Sequence, residues 1–174
     1  MIQGAVVELP ELVASFFTLS GAGFGEPPRN SFVDRCEAAA AAGFAGIGLH
    51  VEDLPRIVAT GLSVGEMQAV LRLNGLRVVE IEFLGGWALP DETGSAVRNL
   101  VGIEAVAGGF GGRQVSAGEF RGDGTLDTDD ALDAAASALR RHADRLARRE
   151  LLVGCRCIAL RRGSASSPMA HPSC

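Results

Sequence analysis

The sequence predicts an α/β fold of parallel βα repeats, four to five units of an incomplete (βα)8 barrel. Three observations predict it. Apolar, strand-like runs alternate with helix-like segments along residues 12 to 147. A glycine stop between helix and strand recurs at Gly43, at Gly75 32 residues later, and at the Gly108–Gly109 pair. Polar residues then keep to one parity of the strands. Strands joined through single helices form a parallel sheet with right-handed crossovers. A closed barrel takes about 250 residues, and this chain has 174.

The elements follow in order. Leu12–Ser20, LVASFFTLS, reads as a buried strand that leaves into the Gly-Pro-rich loop GAGFGEPPRN. A helix starts near Ser31, with Asn30 or Ser31 as its N-cap and Asp34 in the first turn, where an acid suits the dipole. Gly43 stops it, and Phe44–His50 forms a short strand. Ser63 and Glu66 make a capping box for the next helix, whose apolar stripe is Val64, Met67, Val70 and Leu71. Leu76–Leu84, LRVVEIEFL, is the clearest strand. Residues 94 to 107 read as helix, GGFGG as a turn, and Arg113–Ala117 as a fourth strand. A long helix spans about Thr128 to Arg149, with Leu132, Ala136, Leu139, Ala143 and Leu146 on its core face.

Parity carries the functional information. Side chains alternate along a strand, so Val79, Ile81 and Phe83 share one face and Glu80 and Glu82 the other. Ile47 and Leu49 likewise oppose Gly48 and His50. In an open doubly wound sheet both faces lie under helices, and two acids on a central strand are costly there. In a barrel one face points inward, and polar groups near the C-terminal strand ends form the floor of an active site. His50 is then either a hydrogen-bonded strand-end histidine or a catalytic group. Glu82 is either paired with an arginine or catalytic. Glu80, deeper on the strand, is an ion-pair partner or a substrate contact. Trp87, just past the strand, either stacks on a sugar face or covers the barrel edge.

Composition excludes several classes. The chain is 47% hydrophobic, too apolar for wholesale disorder. No apolar run reaches the roughly 18 residues of a membrane helix. Glu8 and Glu11 stand where a secretory leader would carry basic charge, so a cytoplasmic protein is expected. The net charge of −5 gives no footprint for nucleic acid or for a membrane surface. All 16 basic residues are Arg, which removes Schiff-base and P-loop lysine chemistry. Gly21-Ala-Gly23-Phe-Gly25 lacks the third glycine of a dinucleotide fingerprint and reads as a mouth loop.

The charge shifts late in the chain. Residues 1 to 147 hold 20 acids against 11 Arg, and residues 148 to 174 one acid against five Arg. The first stretch is read as a partial barrel and the second as an atypical basic tail, either a native extension or a truncated or frame-shifted product. The tail's Cys155-x-Cys157, His171 and Cys174 match no zinc-finger spacing.

The stretches FVDRCEAAAAAGFAGIGLHVEDL and LSVGEMQAVLRLNGLRVVEIEFLGGW resemble the xylose isomerase-like TIM-barrel superfamily, sugar phosphate isomerases/epimerases in particular. Asp53-Leu54 and the Glu80/Glu82 pair occupy matching places. The resemblance implies a divalent metal (Mg or Mn, or Zn where His is added) at the barrel mouth, and proton transfer between adjacent carbons of a sugar. On it, Glu82 and His50 are catalytic, Glu80 and Trp87 bind substrate, and no residue of this chain is assigned as a metal ligand. The family's main metal-binding Glu ends the fifth strand. Here LLVGCRCIAL runs into Arg161 and Arg162 instead. The expectation is therefore an isomerase-like chain that is inactive by itself. The alternative is a small non-catalytic binding or self-associating α/β domain. Exposed barrel edges would allow a homodimer.

Overall fold

The computed structural model describes residues 11–23, 25–88, 94–118 and 128–155. Five strands, β1 (Val13–Ala14), β2 (Gly46–His50), β3 (Arg77–Leu84), β4 (Gln114–Ala117) and β5 (Leu152–Cys155), pair in parallel in chain order. Among the described residues six helices accompany them: α1 (Phe16–Ser20), α2 (Phe32–Ala41), α3 (Asp53–Ala59), α4 (Val64–Leu73), α5 (Ser95–Phe110) and α6 (Asp129–Ala147). The strand order never reverses, so the helices accumulate on one face, as in a barrel and unlike a doubly wound sheet. On that face Ile47, Leu49, Val78, Ile81, Leu84 and Val115 pack with Phe32, Met67, Leu100, Ile103 and Leu146 in one core. The sheet stays open, with β1 and β5 as its edges among the described residues. The fold is an incomplete (βα)8 barrel.

Local chemistry sets the helix starts. Ser31 accepts the Asp34 N–H at 3.2 Å while the Asp34 carboxylate accepts the Ser31 N–H at 3.3 Å. Ser63 and Glu66 repeat the exchange at 3.3 and 2.8 Å. Each box satisfies two backbone donors that the first helical turn leaves free. Gly43 and Gly75 follow α2 and α4 at φ +80° and +65°, a backbone that β-carbons disfavour.

Four expectations need correction. LVASFFTLS is not one strand. After Val13–Ala14 the chain turns at Ser15, whose hydroxyl accepts the Phe17 N–H at 3.3 Å and caps α1, and Gly21 ends that helix in a left-handed turn. A short apolar run does not distinguish a strand from a buried helical turn. The strict alternation along β3 also fails. Val79 and Phe83 are skipped in the pairing with β2 and β4, so the strand bulges twice. Val78, Ile81 and Leu84 face the core, not Val79, Ile81 and Phe83. α5 continues through Gly108 and Gly109 to Phe110. The buried line of α6 is Ala135, Ala138 and Leu146, while Leu132 is 52% exposed and Ala136 is exposed. Glu104 of α5 pairs with Arg145 and Arg149, both at 3.1 Å, in that orientation. α3 lacks a side-chain cap and has no sequence signal. The tail from residue 156, with Arg161, Arg162 and the remaining cysteine and histidine candidates, lies outside the described residues.

One buried ion pair ties the first helices together. Arg35 on α2 donates to Asp53 at the start of α3 at 2.7 Å, with side chains only 4% and 1% exposed. The Arg35 guanidinium also lies 5.3 Å from the Phe16 ring centre and 5.7 Å from that of Phe32.

The capping boxes predict a matched pair of effects. Ser31→Ala and Ser63→Ala should each lower unfolding free energy by about 1 kcal/mol in urea titration. Two unchanged midpoints would contradict the role given to the caps.

Candidate functional site

An open cleft of about 250 Å³ lies at the C-terminal ends of β1 to β3. Three phenylalanines (Phe16, Phe17 and Phe83) line it together with His50 and Arg56, and Asn99 of α5 closes one side. The loop that carries Gly25 and Glu26 forms another wall, the place expected of a mouth loop.

The floor is organised by Glu82. Its carboxylate is 3% exposed, and it accepts the Phe16 N–H at 2.7 Å and the Ser15 hydroxyl at 2.9 Å. To do so it crosses β2, which lies between β3 and β1. Gly48 makes the crossing possible: a Cβ there would sit 1.9 Å from Glu82 Oε1. Glu80 turns the other way and accepts the Ser116 hydroxyl of β4. The two acids of β3 thus serve opposite neighbours on the face away from the helices.

His50 ends β2 beside Glu82 in the register. Its ring centre is 5.1 Å from that of Phe16, 5.8 Å from Phe17 and 5.3 Å from Phe83. Its Nδ1 accepts the Glu52 N–H at 3.2 Å, which leaves the ring proton on Nε2 in the neutral form. Burial pushes the imidazole below its usual pKa; the nearby Glu52 and Asp53 charges oppose this and Arg56 adds to it.

Of the four residues singled out in the sequence, the structure brings only His50 to the cleft lining. Glu82 lies buried and anchors Ser15 and Phe16. Glu80 is bonded to β4. Trp87 is half-buried and packs against the hydrophobic core, with no hydrogen-bond partner for its indole N–H among the described residues. The sequence reading missed Ser15, Phe16 and Phe17, because they were placed on a strand. It also missed Arg56, which pairs with Glu52 at 2.9 Å, and Asn99, whose amide donates to the Gly85 carbonyl at 3.1 Å. A helix at 53–59 would have signalled Arg56 by its (i, i+4) spacing to Glu52.

A divalent metal needs three or more oxygen, nitrogen or sulfur donors that converge. Among the described residues no three His, Cys, Asp or Glu side chains do so. Glu82 and Glu80 are also directed at hydroxyl and amide donors. The described residues do not by themselves fit a divalent metal.

No family profile and no curated protein matches the chain. Solved structures do. A probable 3-DHS dehydratase, AsbF, involved in petrobactin synthesis in Bacillus anthracis superposes with a TM-score of 0.63 at 15% identity, over 83% of this chain and 51% of that one. A xylose isomerase domain containing protein from Salmonella typhimurium gives 0.58 at 20% identity, over 74% and 45%. A xylose isomerase-like TIM barrel protein from Mycobacterium smegmatis, solved in complex with magnesium, gives 0.55 at 15%, over 83% and 54%. The chain therefore spans about half the length of these proteins and shares their fold.

Two predictions follow from this geometry. Gly48→Ala and Glu82→Gln should each destabilise the protein by about 1.5–3 kcal/mol, the range for a hydrogen bond to a charged group. The double variant should cost clearly less than the sum, because both changes break the same crossing; additive losses in a denaturant cycle would refute the coupling. His50 should titrate below 6.5 by NMR. Because its folded pKa is lowered, the unfolded chain binds more protons in that window. Stability should be full above pH 6.5 and decline as pH falls toward the folded pKa. A His50 midpoint above 6.5 would contradict the assigned environment.

Proposed function

We propose that this half-barrel forms the substrate-binding wall of an enzyme that moves a proton on a sugar or related hydroxy-carbonyl compound, as isomerases, epimerases and some dehydratases do. The observation that supports it best is the position and lining of the cleft. It opens at the C-terminal strand ends, where barrel enzymes hold their chemistry, and it sets one imidazole among three aromatic rings. Aromatic faces suit the C–H faces of a sugar ring, and Asn99 and Arg56 suit its hydroxyl and anionic groups.

In this reading His50 is the catalytic group. As a neutral imidazole with Nδ1 occupied, it presents Nε2–H as a hydrogen-bond donor that polarises a carbonyl or hydroxyl oxygen of the substrate. Glu82 is a positioning residue that fixes Ser15 and Phe16 and thereby the aromatic wall. Glu80 supports β4, and Trp87 backs the wall through the core. A neighbour of the same fold was solved in complex with magnesium; a divalent ion, if the complete barrel holds one, would supply Lewis-acid activation of the substrate oxygens. In this reading the described residues bind and orient substrate, and the part of the site that carries turnover lies outside them.

A non-catalytic binding or self-associating domain is the second reading. The open sheet edges favour it, together with exposed Leu152 on β5 at 73% and Leu132 on α6 at 52%. Two copies meeting edge to edge would form a homodimer.

A panel of aldose and ketose phosphates, titrated with and without Mg or Mn, separates the readings. The prediction is saturable NMR shifts at His50 and Phe83, at least tenfold weaker binding in His50→Gln, and no turnover. Absence of any saturable shift would remove the substrate-wall reading. Turnover of a sugar would overturn the inactivity.

A further inference from the structure

A groove of about 500 Å³ lies between the start of α2 and the length of α3. We infer that this groove is a second ligand site, for a small organic anion with an aromatic or aliphatic body. It does not depend on the function proposed for the cleft.

Three features carry the inference. The walls are apolar where a body would lie: Pro27, Pro28, Phe32, Ile57 and Leu62. The charges at the groove are mainly positive, with three arginines, Arg29, Arg35 and Arg56, against a single acid, Asp53. Asp53 is already neutralised by Arg35 at 2.7 Å in a buried pair. Arg29 and Arg56 are held only by exposed partners, Glu26 and Glu52. Such surface pairs contribute little and exchange readily for a better anion. A bidentate carboxylate or phosphate is that anion for a guanidinium. The third feature is an orphan acceptor. Asp53 Oδ1 is buried and meets no hydrogen-bond donor among the described residues. Buried acceptors are normally satisfied, so Asp53, a residue of the groove lining, keeps acceptor capacity that a donor entering beside it would meet.

The loop at residues 25–31 separates this groove from the His50 cleft, since Gly25 and Glu26 line the cleft and Pro27 to Ser31 line the groove. Arg56 lines both. An anion in the groove would draw Arg56 from Glu52 and so change the charge beside His50.

Phenyl phosphate is the probe, with inorganic phosphate and benzyl alcohol as controls for the anion and the body alone. Methyl NMR reports the groove through Ile57 and Leu62, and imidazole-ring NMR reports the cleft through His50. Phenyl phosphate should give saturable shifts at Ile57 and Leu62 and bind at least fivefold more tightly than either control. Thr60→Trp, which fills the groove from the end of α3, should weaken it at least tenfold. Arg29→Gln, an exposed change that leaves the core intact, should weaken it at least threefold. Shifts confined to His50, equal binding by a control, or affinity unchanged in folded Arg29→Gln would each overturn the inference. The two readings separate by variant: His50→Gln should weaken sugar-phosphate binding in the cleft and leave phenyl phosphate binding at Ile57 and Leu62 unchanged, and Thr60→Trp should do the reverse.

Discussion

The carboxylate of Glu82 holds the working end of this molecule together. It leaves β3, crosses β2 over Gly48, and accepts the Ser15 hydroxyl and the Phe16 N–H on the far side. Three consecutive units are thereby fixed by one buried charge. The crossing decides where α1 begins, and α1 places Phe16 and Phe17 against His50. A buried carboxylate without such donors would be expensive. Here the donors are a backbone amide and a capping hydroxyl, so folding α1 and solvating the acid are a single event. The same charge makes the chain intolerant at Gly48, a position with no chemistry of its own.

The open sheet follows a related logic. Two acids on one strand repel when they share a site. β3 separates them by sending Glu82 toward β2 and Glu80 toward Ser116 of β4. The bulges at Val79 and Phe83 accompany that arrangement. They let Ile81 and Leu84 stay in the core while Phe83 joins the cleft lining. A regular strand would have put Phe83 under the helices and deprived His50 of an aromatic neighbour. Polar interior and apolar exterior are thus reconciled within eight residues.

Much of the scaffold was legible because its signals are local. Ser31 with Asp34 and Ser63 with Glu66 announce helix starts within four residues, and Gly43 and Gly75 announce their ends. The inward parity of Gly48 and His50 against Ile47 and Leu49 also reads directly from β2, a regular strand. What failed depends on partners distant in sequence. Ser15 is a cap only because Glu82, 67 residues away, receives its hydroxyl. The β3 bulges depend on both neighbouring strands. The rotation of α6 depends on distant elements it packs against, among them Glu104 of α5, which pairs with Arg145 and Arg149. His50 could be singled out as a polar residue at a strand end. Its aromatic surroundings could not, because two of the three rings belong to a segment whose conformation is decided elsewhere.

The central claim is that a charge on β3 builds the wall of the cleft by holding α1. Hydrogen exchange at the Phe16 amide, in the native chain and in Glu82→Gln, tests it most directly. The account predicts that this amide is protected nearly as well as the β2 and β3 amides. In the variant its protection should fall far more than that of the strands. A Phe16 amide that exchanges like an exposed loop in the native protein, or keeps its protection in Glu82→Gln, would contradict the account.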